Sequence, residues 1–166
     1  MLLSKGLLRS VSEQNNLSNN LEEHRAIVKN RILFSEKKEF DVFLSHSSLD
    51  KTLVLALVHL FNSLNYTVYV DWIDDTELDR TNVTINTAST LKSRMKQSKA
   101  LSYIPTNNSQ QSKWCPWELG YFDGLKKEKC TILPVLNEYS SSEVYVGQEY
   151  LGLYPYITYD TNDFYV

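Results

Sequence analysis

Hydrophobic and polar positions are patterned differently on the two sides of residue 38. Before it the chain is rich in Asn, Ser, Lys and Glu, with no aromatic residue ahead of Phe34. Leu17, Leu21, Val28 and Ile32 form a thin helical stripe, which predicts a helix over residues 20–33. Residues 1–38 are therefore read as a helical arm and residues 39–166 as the main domain. The arm's pattern suits a docking or oligomerisation role and equally a helix lying on the domain surface.

From Phe40 onward the pattern alternates between short apolar runs and helical periods. Residues 40–44 (F-D-V-F-L) are apolar and bounded by polar residues, as in a buried parallel strand. Ser47-x-x-Asp50 has capping-box spacing ahead of a helix over residues 53–64, with Leu53, Leu57, Leu60, Phe61 and Leu64 inward. Residues 66–70 are β-branched and aromatic and predict a second strand. A second helix follows over residues 84–97. Strands are expected at 100–104, 131–136 and 154–159, the last after a Ser-rich connection. Pro105 and the polar stretch T-N-N-S-Q-Q-S predict a loop after the third strand. Such alternation implies a parallel sheet with helices on both faces and every strand-to-helix loop at one edge. His46, Asp71, Trp72 and Glu118 all fall after strand ends, so they converge on the crevice where such sheets bind ligands.

Residues 112–125, S-K-W-C-P-W-E-L-G-Y-F-D-G-L, predict the helix that carries the chemistry. Pro116 suits a first helical turn, and Gly124 with Lys126 and Lys127 marks the end. Trp114, Trp117, Glu118, Tyr121 and Leu125 fall on one side. Glu118 is expected in the first turn, where the helix dipole favours its charge and burial by aromatic rings opposes it. Alone, W-x-x-x-E is also compatible with a structural Glu beside core aromatics. His46 likewise reads as a loop hydrogen-bonder or an acid-base group, and Asp71 as a turn cap or a ligand contact.

Composition narrows the classes. The net charge is -3, with no basic stripe, so no nucleic-acid partner is expected. Cys115 and Cys130 have neither metal-ligand nor disulfide-framework spacing, which points to free thiols in a reducing compartment. Ser4, Lys5 and Gly6 interrupt the first apolar residues, and no later run is long enough to span a bilayer, so a cytoplasmic protein with no membrane partner is expected. Asp71, Asp74, Asp75, Glu77 and Asp79 crowd one loop in which Arg80 is the only cation, and no liganding spacing recurs there, so no metal is expected. Such a loop would repel a like surface at low salt.

Taken together, E-F-D-V-F-L-S-H-S-S-x-D-K, V-Y-V-D-W and S-K-W-C-P-W-E-L-G-Y-F-D-G resemble Toll/interleukin-1 receptor (TIR) domains, in particular stand-alone bacterial ones, over residues 39–159. The resemblance implies a flavodoxin-like fold with a five-stranded parallel sheet. In enzymatic members it implies cleavage of NAD at the nicotinamide-ribose bond, with NAD as substrate and no cofactor. It makes Glu118 the catalytic glutamate. Phe43, Ser45, His46 and Ser47 would border the nicotinamide site, with Trp114 as a ligand wall. Asp71 and Trp72 would begin the BB loop, which contacts ligand or a neighbouring subunit. That loop lacks the glycine many relatives carry. The resemblance further implies self-association through the BB loop, and a nucleotide product sensed by an effector, as in Thoeris antiphage defence.

The chemistry is coherent without the family. Nicotinamide is a cationic leaving group, so the bond needs little acid help; a carboxylate beside the developing oxocarbenium ion and ribose hydroxyls supplies what is needed. Capture of that ion by water gives ADP-ribose, and capture by the ligand's own adenosine gives a cyclic product. Two other readings stay open: a non-catalytic TIR adaptor, and a nucleoside deoxyribosyltransferase-like enzyme. A phospho-receiver is excluded, because Pro105-Thr106 stands where its Asp is needed.

Overall fold

The computed structural model describes residues 1–37, 39–137, 149–160 and 163–165. The Ser-rich connection lies largely outside the described residues. In chain order the elements are β1 (Leu3–Ser4), α1 (Lys5–Gln14), α2 (Asn20–Lys37), β2 (Phe40–Ser45), α3 (Lys51–Ser63), β3 (Val68–Tyr69), α4 (Asp71–Asp74) and α5 (Ile85–Lys96). There follow β4 (Ser98–Tyr103), α6 (Asn107–Gln111), α7 (Trp114–Leu125), β5 (Cys130–Ile132), β6 (Val135–Leu136), β7 (Thr158–Tyr159) and β8 (Phe164–Tyr165). Single 3₁₀ turns cover Ser48–Asp50 and Glu149–Leu153.

The main sheet is parallel throughout, in the order β3-β2-β4-β5. Among the described residues it has four strands where five were expected. The expected fifth is reduced to one parallel bridge, Ile132 to Tyr156, and residues 158–159 pair antiparallel with β8 instead. The expected fourth strand is cut in two by Pro134, which has no N–H for a ladder. Its first half, β5, stays in the main sheet and its second half, β6, pairs with β1.

Period-two alternation along β2 sends Val42 and Leu44 to one face and Phe43 to the other. Val42 and Leu44 join Val68, Val70 and the α3 residues Val54, Leu57 and Phe61 in one core. Phe43 joins Tyr69, Leu101, Tyr103 and the α7 residues Leu119 and Phe122 in a second.

The first 37 residues form two helices rather than one. Leu3, Leu8 and Leu17 enter the first core, and α1 and α2 both lie against α3. The expected stripe on α2 is wrong: Leu21, Val28 and Ile32 are 57%, 37% and 52% exposed, and Ala26 and Asn30 are buried instead. Asn30 is inward because β3 is an edge strand with unpaired backbone groups. Its Nδ2 donates to Val68 O at 2.8 Å and its Oδ1 accepts from Val68 N at 3.0 Å, so the side chain replaces a neighbouring strand. Among the described residues no helix is long and apolar enough to cross a membrane.

Asp41, on β2, binds three elements together. Its carboxylate accepts from Lys37 Nζ at 2.6 Å, Thr67 N at 2.9 Å and Lys99 Nζ at 2.9 Å. Burial opposes the charge, but these bonds outweigh it and lower the pKa to about 2. The unfolded value is about 3.9, so this stabilisation is complete above about pH 4 and is lost as pH falls towards 2. Asp41→Asn is expected to lower the Tm by a few degrees at pH 7, with the gap to wild type closing across that window. A gap that stays constant from pH 5 to pH 2 in thermal melts would show that the charge contributes nothing.

Candidate active site

The site assembles from the ends of β2 and β3, the loop before α5, and α7. Ser45 ends β2 and is fully buried; its Oγ donates to Glu118 Oε2 at 2.7 Å. His46 follows, also buried, with Nδ1 at 2.7 Å from Leu44 O. A carbonyl only accepts, so Nδ1 is the donor. His46 Nε2 lies 3.3 Å from Asp71 Oδ1. Asp71 Oδ2 accepts from Arg80 NH1 at 3.0 Å, and Arg80 NH2 donates to Glu118 Oε1 at 2.6 Å. One chain of contacts thus runs His46, Asp71, Arg80, Glu118, Ser45, drawing on residues up to 73 positions apart.

Glu118 is 0% exposed and is the fifth residue of α7, one turn further in than expected. The dipole is weak at that depth. Burial pushes its carboxyl above the usual range, and the charge of Arg80 and the bond from Ser45 pull the other way. Burial also works against the charge on Asp71, but His46 and Arg80 hold that carboxyl well below the carboxylate range. Arg80 is charged at every working pH.

The inward face of α7 is turned from the expected one. Trp114, Cys115, Glu118, Leu119 and Phe122 are buried, while Trp117 and Tyr121 are half-buried and Leu125 is exposed. Cys115, Leu119 and Phe122 have the helical spacing that meets the sheet. Trp117 and Tyr121 stack on each other at 5.6 Å under Lys92 and cover the helix from outside. Cys115 is a packing residue whose Sγ–H donates to His46 O at 3.2 Å, and burial pushes its thiol up to about 12.

A cleft of about 380 Å³ opens over this network, with His46, Ser47, Arg80, Asn108, Lys113 and Trp114 in its lining. Trp114 is held by its Nε1, which donates to Arg80 O at 3.0 Å. Two of the expected substrate contacts are elsewhere. Phe43 is 1% exposed and stacks on Tyr69 at 4.9 Å beneath the site, because strand alternation turns it into the second core. Trp72 packs against the first core with Lys51 Nζ over its ring at 5.4 Å and does not line the cleft.

The expected capping box at Ser47 and Asp50 does not form. Ser47 Oγ caps Leu49 N at 3.3 Å, while Asp50 accepts from Thr106 Oγ1 and Asn108 Nδ2, both at 2.6 Å, tying two loops at the cleft. The stretch expected as a loop after β4 contains α6, started by a capping box between Thr106 and Ser109.

The acidic loop is not a free acidic surface, because Arg94 on α5 joins the loop's own cation, Arg80, in pairing its carboxylates. Asp75 takes both Nε and NH2 of Arg94, at 2.8 and 2.6 Å, along with the Tyr69 hydroxyl. Asp74 accepts from Val70 N at 2.9 Å, and burial pushes its pKa up to about 7. Asp79 caps Thr81. The low-salt repulsion expected between such loops is therefore reduced by the pairing of Asp71 and Asp75 and by the raised pKa of Asp74. Arg80 is the member of this network that sequence reasoning missed; the signal available was a lone cation among five carboxylates. Among the described residues no group of three His, Cys, Asp or Glu side chains is placed to hold a metal ion.

The chain is similar to known proteins. Over 128 residues the chain is 50% identical to the "Probable 3' cyclic ADP-D-ribose synthase ThsB'" of Bacillus cereus (strain MSX-D12), covering 77% of this chain and 65% of that protein. Over 92 residues it is 39% identical to the "Putative cyclic ADP-D-ribose synthase TIR2" of Cytobacillus dafuensis, covering 55% of this chain and 24% of that protein. The chain thus spans just under two thirds of the first relative and about a quarter of the second. Residues 42–163, from the third residue of β2 to the residue before β8, match the TIR domain, and the chain, with its parallel sheet, is a member of the TIR family.

Proposed function

We propose that the protein cleaves NAD at the nicotinamide-ribose bond and closes the resulting ADP-ribosyl group into a cyclic product, a nucleotide signal in antiphage defence. The observation that carries this reading is Glu118, a wholly buried carboxylate held between Ser45 and Arg80 behind a polar cleft. Its charge suits the oxocarbenium ion left when nicotinamide departs, and its oxygens suit the ribose hydroxyls. The indole of Trp114 in the cleft wall can shield that ion from water, which favours capture by the adenosine end over hydrolysis. The names of the two similar proteins, both cyclic ADP-ribose synthases, support cyclisation over simple hydrolysis, and the first supports the 3' isomer.

NAD is substrate here and not a resident cofactor, drawn from the cytoplasmic pool, and an effector that senses the cyclic product completes the pathway. Self-association through the loop before α5 belongs to the same proposal. Val83 in that loop and Ile85 at the start of α5, 65% and 88% exposed, give it an apolar surface.

One experiment tests all of this: incubation with NAD over a hundredfold range of protein concentration, with products separated by chromatography and identified by mass spectrometry and co-elution with cyclic standards. Nicotinamide and a cyclic ADP-ribose are expected, with specific activity rising with concentration. Linear ADP-ribose alone would overturn cyclisation, flat specific activity would overturn the assembly, and cleavage of deoxynucleosides with NAD intact would overturn the reaction itself.

A further inference from the structure

In the free protein Glu118 has no exposed surface and both its oxygens are occupied, Oε2 by Ser45 and Oε1 by Arg80. A carboxylate in that state touches no ligand. Of its two partners, Arg80 is the one that lines the cleft. We propose that Arg80 is a latch released by the diphosphate of the dinucleotide: its guanidinium covers Glu118 until a diphosphate enters the cleft, then turns to that anion and bares the carboxylate to the ribose. This rests on the NAD-cleaving reading above.

Three features of the geometry support the exchange. Glu118 keeps a hydrogen bond when Arg80 leaves, that from the Ser45 hydroxyl, and Asp71 has the His46 ring beside it with Nε2 3.3 Å from Oδ1. The backbone need not follow, because Arg80 O is held by Trp114 Nε1, and the preceding residue is fastened through Asp79 O to Thr87 Oγ1 at 3.0 Å. The guanidinium is always charged, so it leaves one anion only for another, and its planar fork fits a diphosphate as well as a pair of carboxylates. Ser47, Ser112, Asn108 and Lys113 on the cleft wall add donors for the same group. The nicotinamide end carries nothing that would draw Arg80 away. The diphosphate, remote from the bond that breaks, therefore licenses the chemistry.

The test uses substrates that share the scissile bond and differ in phosphate: NAD, with a diphosphate, and nicotinamide riboside, with none. Wild type is expected to favour NAD over the riboside by about 100-fold or more in kcat/KM, and Arg80→Gln to shrink that ratio about tenfold or more, as expected for loss of a bidentate charged contact. Arg80→Lys, which keeps the charge without the fork, is expected to shrink it less. If Arg80 only braces the fold, each variant loses activity on both substrates alike, and an unchanged ratio overturns the latch. Arg80→Lys carries the comparison should Arg80→Gln fail to fold. Calorimetry with ADP-ribose gives an independent arm: about tenfold weaker binding is expected for an Arg80 variant, and equal affinity overturns the proposal. Should wild type leave NAD intact, the reading of the reaction fails, and the ADP-ribose arm still decides whether Arg80 takes a diphosphate.

Discussion

Glu118→Gln is expected to lower NAD turnover by about 100-fold or more while leaving the Tm within a few degrees of wild type. The substitution keeps the size of the side chain and both of its contacts. The amide oxygen still accepts from Arg80, and the amide nitrogen can donate to the Ser45 hydroxyl, which turns to accept. Arg80 keeps its neutralising partner in Asp71 at 3.0 Å, so no buried charge is stranded. What disappears is the negative charge beside the developing cation, in a site where water does not screen it. Turnover measured on protein with a wild-type melting curve is the check. Cleavage at the wild-type rate would remove Glu118 from the reaction and return it to the structural reading that W-x-x-x-E allows. Glu118→Ala is a poorer probe, because it opens a cavity and loses both contacts.

Trp114→Ala is expected to cost about 3 to 5 kcal/mol of stability and to abolish most activity in the protein that remains folded. The ring is 5% exposed, sits edge-on to Trp117 with centroids 5.3 Å apart, and holds the Arg80 carbonyl through its N–H. Truncation would therefore remove a large apolar contact, a cleft wall and the anchor of the latch loop together. Trp114→Phe separates these roles. It keeps an aromatic ring in the wall but loses the N–H together with part of the indole, so stability should fall by about 1 to 2 kcal/mol while Arg80 loses its backbone anchor. Melting curves paired with activity at a temperature where each variant is folded decide the matter. Wild-type activity in folded Trp114→Ala would make the ring core alone.

The local period of apolar residues was enough to place most of the elements. The runs at residues 40–44 and 100–104 became β2 and β4, the helical periods became α3, α5 and α7, and Pro116 fell inside the first turn of α7. In a parallel sheet the loops after the strands must share an edge, so the meeting of Ser45, His46, Asp71 and Glu118 also followed from order along the chain. What periodicity does not encode is which polar groups find each other inside. Asn30 is buried only because β3 is an edge strand, a fact of sheet order. Asp75 is quiet only because α5 brings Arg94 beside it, and five carboxylates counted along the chain gave no sign of that. The aromatic residues of α7 misled for a related reason. Trp and Tyr serve a core or a covered surface equally well, so the smaller Cys115 and Leu119 decided which side meets the sheet. The fifth strand depended on pairing partners rather than on its own β-branched residues. Arg80 is the sharpest case. Its charge was plain in the sequence, but its seat on Glu118, 38 residues away, is set by the tertiary fold, because only a buried carboxylate needs a buried cation.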